Sequence, residues 1–133
     1  MKAKWKTGDW CFSEFKLSQI TRSKNGVPTE IRDGSFSRMG GDLSYGCVPL
    51  TLRNSSISQL ATYWSDRLHR EGHGGLNYPR IHDKLVDLWL AACNAPEAEQ
   101  AAACCKIEEF AMGVLDHVRN AGEVMGVPLL RRK

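Results

Sequence analysis

The sequence predicts an α+β fold: a small N-terminal antiparallel β-sheet followed by three helices, the last one long. Three observations carry this. Up to about Arg53 the chain is rich in aromatic, Ser, Thr and Gly residues with turn signals at short spacing. From Asn54 onward the apolar residues recur at helical spacing instead. The chain has 133 residues, 42% of them hydrophobic, which is enough for one core without a disulfide or metal staple. Residues 1–133 are therefore expected as a single domain, with a β-rich half (1–53), a helical half (54–121) and a C-terminal tail (122–133).

In the first half, Trp10 to Ile20 carries Phe12, Phe15 and Leu17 among polar residues and reads as one strand, bulged where the alternation slips. Asn25-Gly26 is a two-residue hairpin turn, because both residues tolerate positive φ. Val27 to Arg32 returns as the second strand, and Pro28, which cannot donate to a ladder, predicts an edge or partly paired position. After the Asp33-Gly34 turn, Ser35 to Met39 is a third strand. Cys47 to Leu52 is a possible fourth.

In the second half, Asn54-Ser55-Ser56 offers helix caps, and Ile57, Leu60, Ala61, Trp64 and Leu68 follow helical spacing. This helix is expected to stop before Gly72-His73-Gly74-Gly75, a flexible connector. The next begins around Asn77-Tyr78-Pro79, with Pro79 suited to the first helical position. Ile81, Leu85, Leu88, Trp89 and Ala92 form one face, and Val86 and Leu90 make the other face apolar too, which predicts a helix buried between neighbours. Asn94-Ala95-Pro96 breaks it. A third helix from Pro96-Glu97 to about Ala121 has Ala101, Cys104, Ile107, Ala111, Val114, Leu115 and Val118 as its stripe. The tail reads as a short strand at Val127 to Leu130 or a loose end.

The totals bound the function. Lys and Arg number 18 against 15 Asp and Glu, a net charge of +3, which suits an anionic partner without demanding one. A duplex-DNA binder usually carries a stronger, clustered excess, so nucleic acid is not the expected partner. No stretch approaches the apolar length of a membrane helix. The basic start, Met1 to Lys6, lacks the apolar segment of a secretory signal, so the cytoplasm is the expected compartment. The cysteines number 5, Cys11, Cys47, Cys93, Cys104 and Cys105, and an odd, irregular set reads as small buried hydrophobes rather than as a disulfide framework.

Catalytic motifs are incomplete. In His69-Arg70-Glu71-Gly72-His73 the Glu lies midway between the histidines, unlike a zinc-protease motif, and no third ligand is apparent. Ser13-Glu14-Phe15-Lys16 has a serine–lysine acyl-enzyme spacing, but in a strand rather than at a helix start. No Walker-type loop or dinucleotide fingerprint occurs. The expectation is a binding protein, not an enzyme, with no cofactor and no metal.

Gly74 to His82 is the more suggestive segment. A glycine pair leads into a helix N-terminus, whose N–H groups and partial positive charge favour anions. Tyr78 suits stacking on a base, Asn77 a base edge, and Arg80 and His82 phosphate. Local capping explains the same residue types: Asn77 as N-cap, Tyr78 as a staple to the core, Arg80 solvated. His117 and Arg119, near the end of the third helix, are favoured there by the dipole alone, and would line a shared pocket if two subunits packed through their long helices.

Several strings resemble a phage family: Gly8-Asp9-Trp10-Cys11-Phe12, Glu14-Phe15-Lys16-Leu17, Asp42-Leu43, Cys47 to Asn54, Tyr63 with Leu68-His69, and Leu76 to His82. The chain is similar over roughly its first two-thirds to the first type of Thoeris anti-defence protein, and its last helix agrees in layout. That family consists of phage-encoded sponges that bind the cyclic ADP-ribose isomer used as a Thoeris immune signal, some relatives also capturing cyclic oligonucleotides. The resemblance implies a small sheet followed by helices, assembly as a dimer or hexamer, action in the host cytoplasm, and a ligand held without chemistry. It strengthens Asn77, Tyr78, Arg80, His82, His117 and Arg119 as ligand-binding candidates. Two alternatives stand beside it: a single-strand nucleic-acid binder using Trp5, Trp10, Phe12, Phe15, Lys16 and Arg22 on a curved sheet, and a protein that covers a host defence enzyme directly.

Overall fold

A computed structural model describes residues 4–34, 36–71 and 78–124, with Tyr78 and residues 119–124 as backbone. The order of elements is β1 (Trp10–Ser13), β2 (Lys16–Lys24), β3 (Val27–Arg32), β4 (Ser37–Met39), β5 (Cys47–Pro49), α1 (Leu52–Glu71), α2 (Tyr78–Asn94), a 3-10 turn (Glu97–Glu99) and α3 (Gln100–Val124). The predicted class holds: a five-stranded antiparallel sheet is followed by three helices, of which the last is the longest. Two compact units divide between Gln59 and Leu60, inside α1.

In the first unit the sheet order is β4-β3-β2-β1-β5. The expected single strand over Trp10 to Ile20 is instead two strands. Glu14 and Phe15 take φ of 49° and 78°, and Ser13 pairs with Lys16 across them. Left-handed conformation at two successive residues is the geometry of a type I′ hairpin turn, which normally selects Asn-Gly. Asn25-Gly26 obeys that preference, at 55° and 80°, and joins β2 to β3 as predicted. Glu14-Phe15 does not, so tertiary contacts must hold it. Phe15 is buried, the Glu14 N–H donates to the Gly46 carbonyl at 2.8 Å, and the Glu14 carboxylate accepts from Arg38 Nη1 at 2.6 Å.

Pro28 lies in an interior strand rather than at an edge, but β3 is only partly paired on its β4 side. β4 meets Glu30, Ile31 and Arg32 alone. Beyond its reach the Pro28 and Thr29 carbonyls accept the Leu43 and Gly40 N–H groups, at 2.9 and 3.1 Å. The register of β2 on β3 shifts around Arg22, and Thr21 Oγ1 donates to the Glu30 carboxylate at 2.8 Å there. One face of the sheet holds the core cluster of Trp5, Cys11, Ile20 and Ile31, with Leu43 and Cys47 packed against it. The N-terminal segment closes over it, its Trp5 N–H bonded to the Gly26 carbonyl at 3.0 Å.

Helix α1 begins earlier than Asn54-Ser55-Ser56 suggested. Thr51 is the cap: its Oγ1 accepts the Asn54 N–H at 3.0 Å, and its carbonyl accepts the Ser55 N–H at 2.8 Å. Asn54 is buried, and its Nδ2 donates to the Pro49 carbonyl at 2.9 Å, which ties the helix start to the end of β5.

In the second unit, α2 is buried along Leu85, Val86, Trp89, Ala92 and Cys93, and α3 along Ile107, Ala111, Leu115 and Val118. The two helices pack on each other. Pro96 does not open α3 directly but caps the 3-10 turn, with Glu99 N–H bonded to its carbonyl at 2.8 Å. Helix α3 continues through Gly122 to Val124, past the expected end at Ala121. The connector Gly72 to Gly75 and the strand considered at Val127 to Leu130 lie outside the described residues.

The cap assignment is testable. Thr51→Ala should lower stability by about 1 kcal/mol, whereas Ser56→Ala, at an exposed position, should change it by less than about 0.5 kcal/mol. Denaturant unfolding of both variants measures the difference.

Candidate functional site

The two helices of the second unit are joined by residues 95–99, too few for anything but an antiparallel hairpin. Helix α2 has 17 residues and α3 has 25. At about 1.5 Å rise per residue, the first turn of α2 therefore lies level with residues 114–117 of α3, and the predicted residues of both helices gather at one end of the pair. Within α2, Arg80 is exposed and His82 half-buried. His82 precedes Leu85 by three positions and Val86 by four, so it continues the apolar stripe of α2 at its N-terminal end. Its Nδ1 stands 4.0 Å from the Asp83 carboxylate. The first turn of α2 contains no acidic residue, so its partial positive charge is not neutralised from within that turn.

His117 is exposed, two residues past buried Leu115 and thus on the opposite face of α3. It faces outward from the hairpin, and contact with a ligand there needs a surface brought to that face. Tyr78 opens α2 and Arg119 belongs to α3, both as backbone; Asn77 lies outside the described residues.

In the sequence Trp64 reads as part of an apolar stripe, Tyr63 enters through the family resemblance and Glu71 through the His69–His73 motif, while Arg67 has no role. On α1, Arg67 stacks over the Trp64 ring at 5.1 Å, donates to Glu71 Oε2 at 3.2 Å, and reaches Tyr63 Oη at 3.5 Å. Tyr63 meets Trp64 edge-on, 5.1 Å between centroids. The bond to Glu71 raises the guanidinium pKa above its ordinary value, the Tyr63 bond adding to it and burial opposing it. The signal was available: Tyr63, Arg67 and Glu71 repeat at four-residue spacing. Trp64 is buried, yet its Nε1 has no hydrogen-bond acceptor among the described residues. The exposed Tyr63 ring and the guanidinium stacked on Trp64 together form a surface suited to a planar, polar ligand, with the indole nitrogen buried beneath it.

The alternative aromatic platform on the sheet is not available. Trp5, Phe12 and Phe15 are buried; of the four aromatics proposed for stacking, Trp10 alone is exposed, at 52%. Single-strand binding needs successive accessible rings. Among the described residues no three His, Cys, Asp or Glu side chains are grouped to hold a metal ion, and no helix is long and apolar enough to cross a membrane. His73 of the His69 pair lies outside them.

Comparison of this chain with protein-family models, with curated proteins and with solved structures finds no match.

The unpaired indole donor makes a prediction. Leaving such a group buried costs about 1–3 kcal/mol, against about 0.5–1 kcal/mol for a cation–π contact and the smaller area of a phenyl ring. Trp64→Phe should therefore keep stability within about 1 kcal/mol in thermal or denaturant unfolding. A loss above about 3 kcal/mol means the nitrogen is bonded.

Proposed function

We propose that this chain is a phage anti-defence sponge, which binds and sequesters a cyclic ADP-ribose isomer, and related cyclic nucleotide signals, without degrading them. The observation that carries the reading is the convergence at one end of the α2–α3 hairpin: an exposed Arg80, a half-buried His82 and a helix start without acidic residues, on a chain whose segments resemble the Thoeris anti-defence family. A cyclic ADP-ribose isomer presents a diphosphate, two riboses and an adenine. Arg80 supplies a cation and His82 an imidazole N–H for the diphosphate at a helix start that itself favours anions. Tyr78 in the same turn supplies the ring for the base.

Sequestration sets the energetic demand. Nanomolar capture needs about 12 kcal/mol, more than an open surface supplies after translational and ordering costs. A second copy that brings its own helix ends to the outward-facing His117 closes the pocket, and the resemblance implies a dimer or hexamer as the functional form. Holding the ligand unchanged requires no nucleophile or acid–base pair, and none is assigned.

The test is to load the protein with the cyclic ADP-ribose isomer, remove unbound compound, denature by heat and identify what is released by mass spectrometry. Intact signal supports the sponge, altered signal shows catalysis, and no signal removes the reading. Arg80→Ala and His82→Ala should each weaken capture roughly tenfold, the worth of about one charge-assisted hydrogen bond. Unchanged affinity in a folded variant eliminates that residue from the site.

A further inference from the structure

Within the sheet, five polar side chains meet where β1 ends. Ser13 pairs with Cys47 across β1 and β5, and Cys11 with Pro49, so Cys11 and Cys47 are diagonal neighbours on adjacent strands. Antiparallel alternation puts both on the core-cluster face, where Cys11 is fully buried and Cys47 is partly exposed. The Cys11 thiol donates to the Cys47 sulfur. Arg38 arrives from β4, the far edge of the sheet, and bonds both Ser13 Oγ and the Glu14 carboxylate. Ser13 in turn hydrogen-bonds Cys47. One partner opposes the rest: the Cys47 thiol donates to the Leu43 carbonyl at 3.0 Å, a bond made only while it is protonated.

We propose that Cys47 is an oxidation-sensitive modification site, a nucleophilic thiolate attacked by small peroxides and resolved by Cys11 into a Cys11–Cys47 disulfide.

The electrostatics agree with the geometry. The Cys47 pKa is lowered from the ordinary thiol value, first by the Cys11 bond, then by Ser13 and Arg38, while burial and Glu14 work against it. The Cys11 pKa moves the other way, raised by the same bond, by burial and by the Cys47 and Asp9 charges, with Arg38 opposing. This divides the roles: the partly exposed Cys47 sulfur loses its proton the more readily of the two, and the buried Cys11 keeps its own. In the first step the Cys47 thiolate attacks one peroxide oxygen. The O–O bond breaks, the leaving oxygen takes a proton to become water or an alcohol, and Cys47 becomes a sulfenic acid. The negative charge that held the Cys11 proton is then gone. Cys11 attacks the Cys47 sulfur as its proton passes to the departing hydroxyl, which leaves as water. The two thiols are together oxidised by two electrons and the peroxide is reduced.

Chain geometry permits closure. Diagonal neighbours are about 7–8 Å apart between Cα atoms, somewhat beyond the 4.4–6.8 Å usual for a disulfide. The shift falls on β5, an edge strand of three residues paired only with β1.

The test uses the full chain with Cys104→Ser and Cys105→Ser to remove the thiols on the outer part of α3. Treatment with hydrogen peroxide, followed by peptide mass spectrometry, should give a Cys11–Cys47 link. In Cys11→Ser the sulfenic acid should persist on Cys47 and be captured by dimedone. Arg38→Met, which removes a positive charge that favours the thiolate, should slow iodoacetamide alkylation of Cys47 at neutral pH about threefold, while Glu14→Gln, which removes an opposing negative charge and keeps the backbone, should speed it about twofold. Simple loosening of the turn would speed both, so opposite signs separate charge from unfolding. The proposal is overturned if no Cys11–Cys47 link forms, if dimedone does not capture Cys47, or if both variants react faster. None of these outcomes depends on the ligand-capture reading.

Discussion

The β-half depends on holding Glu14 and Phe15 in a conformation that neither residue favours. Left-handed φ at a bulky residue is costly, of order 1–3 kcal/mol, and two in succession require compensation. Burial of the Phe15 ring contributes most, since a fully buried aromatic side chain is worth about 1.5–3 kcal/mol. The Glu14 N–H bond to Gly46 and the Arg38 ion pair add fixed geometry. The reversal folds β2 back on β1 and leaves the other side of β1 open to β5. Without it Trp10 to Ile20 would run as one long strand, and Ser13 would not come opposite Cys47.

From β5 the constraint passes along the chain to α1. Pro49 ends the strand, Thr51 caps the helix two residues later, and Asn54 bonds back to the Pro49 carbonyl. The start of α1 is thus set by side chains attached to the sheet rather than by the Asn-Ser-Ser run that composition favours. The oxidation-sensitive cysteine pair lies on this same route, at the edge strand whose position fixes the helix cap.

The helical unit rests on a different principle. Two apolar stripes on α2 and α3 are buried against neighbours through a short connection, and antiparallel geometry then places the chain-distant Arg80 and His117 at one end. Such a scaffold gathers polar groups cheaply, because helix ends lie beyond the packed apolar stripe, where polar side chains need not be buried. On α1 the Tyr63–Trp64–Arg67 stack uses the same logic laterally, with a buried ring holding a guanidinium at the surface.

The alternation of texture at about Arg53, the Asn25-Gly26 turn and the helical spacing of apolar residues were sufficient to read the α+β class, a sheet followed by three helices, and the long last helix. These are local properties: positive φ at Asn-Gly and the 3.6-residue period act within a few positions of the chain. The basic and aromatic candidates at the start of α2 were legible for the same reason. The Glu14-Phe15 reversal, the Thr51 cap and the outward direction of His117 were not, because each depends on what packs against it. The meeting of Arg38 with Ser13 and Glu14 was invisible in the one-dimensional chain, since β4 lies at the opposite edge of the sheet from β5 and its side chain reaches the end of β1 only in the folded sheet. The sequence determined which elements form; the energy of burying Phe15 and pairing Glu14 decided how the strands turn, and with that which polar groups meet.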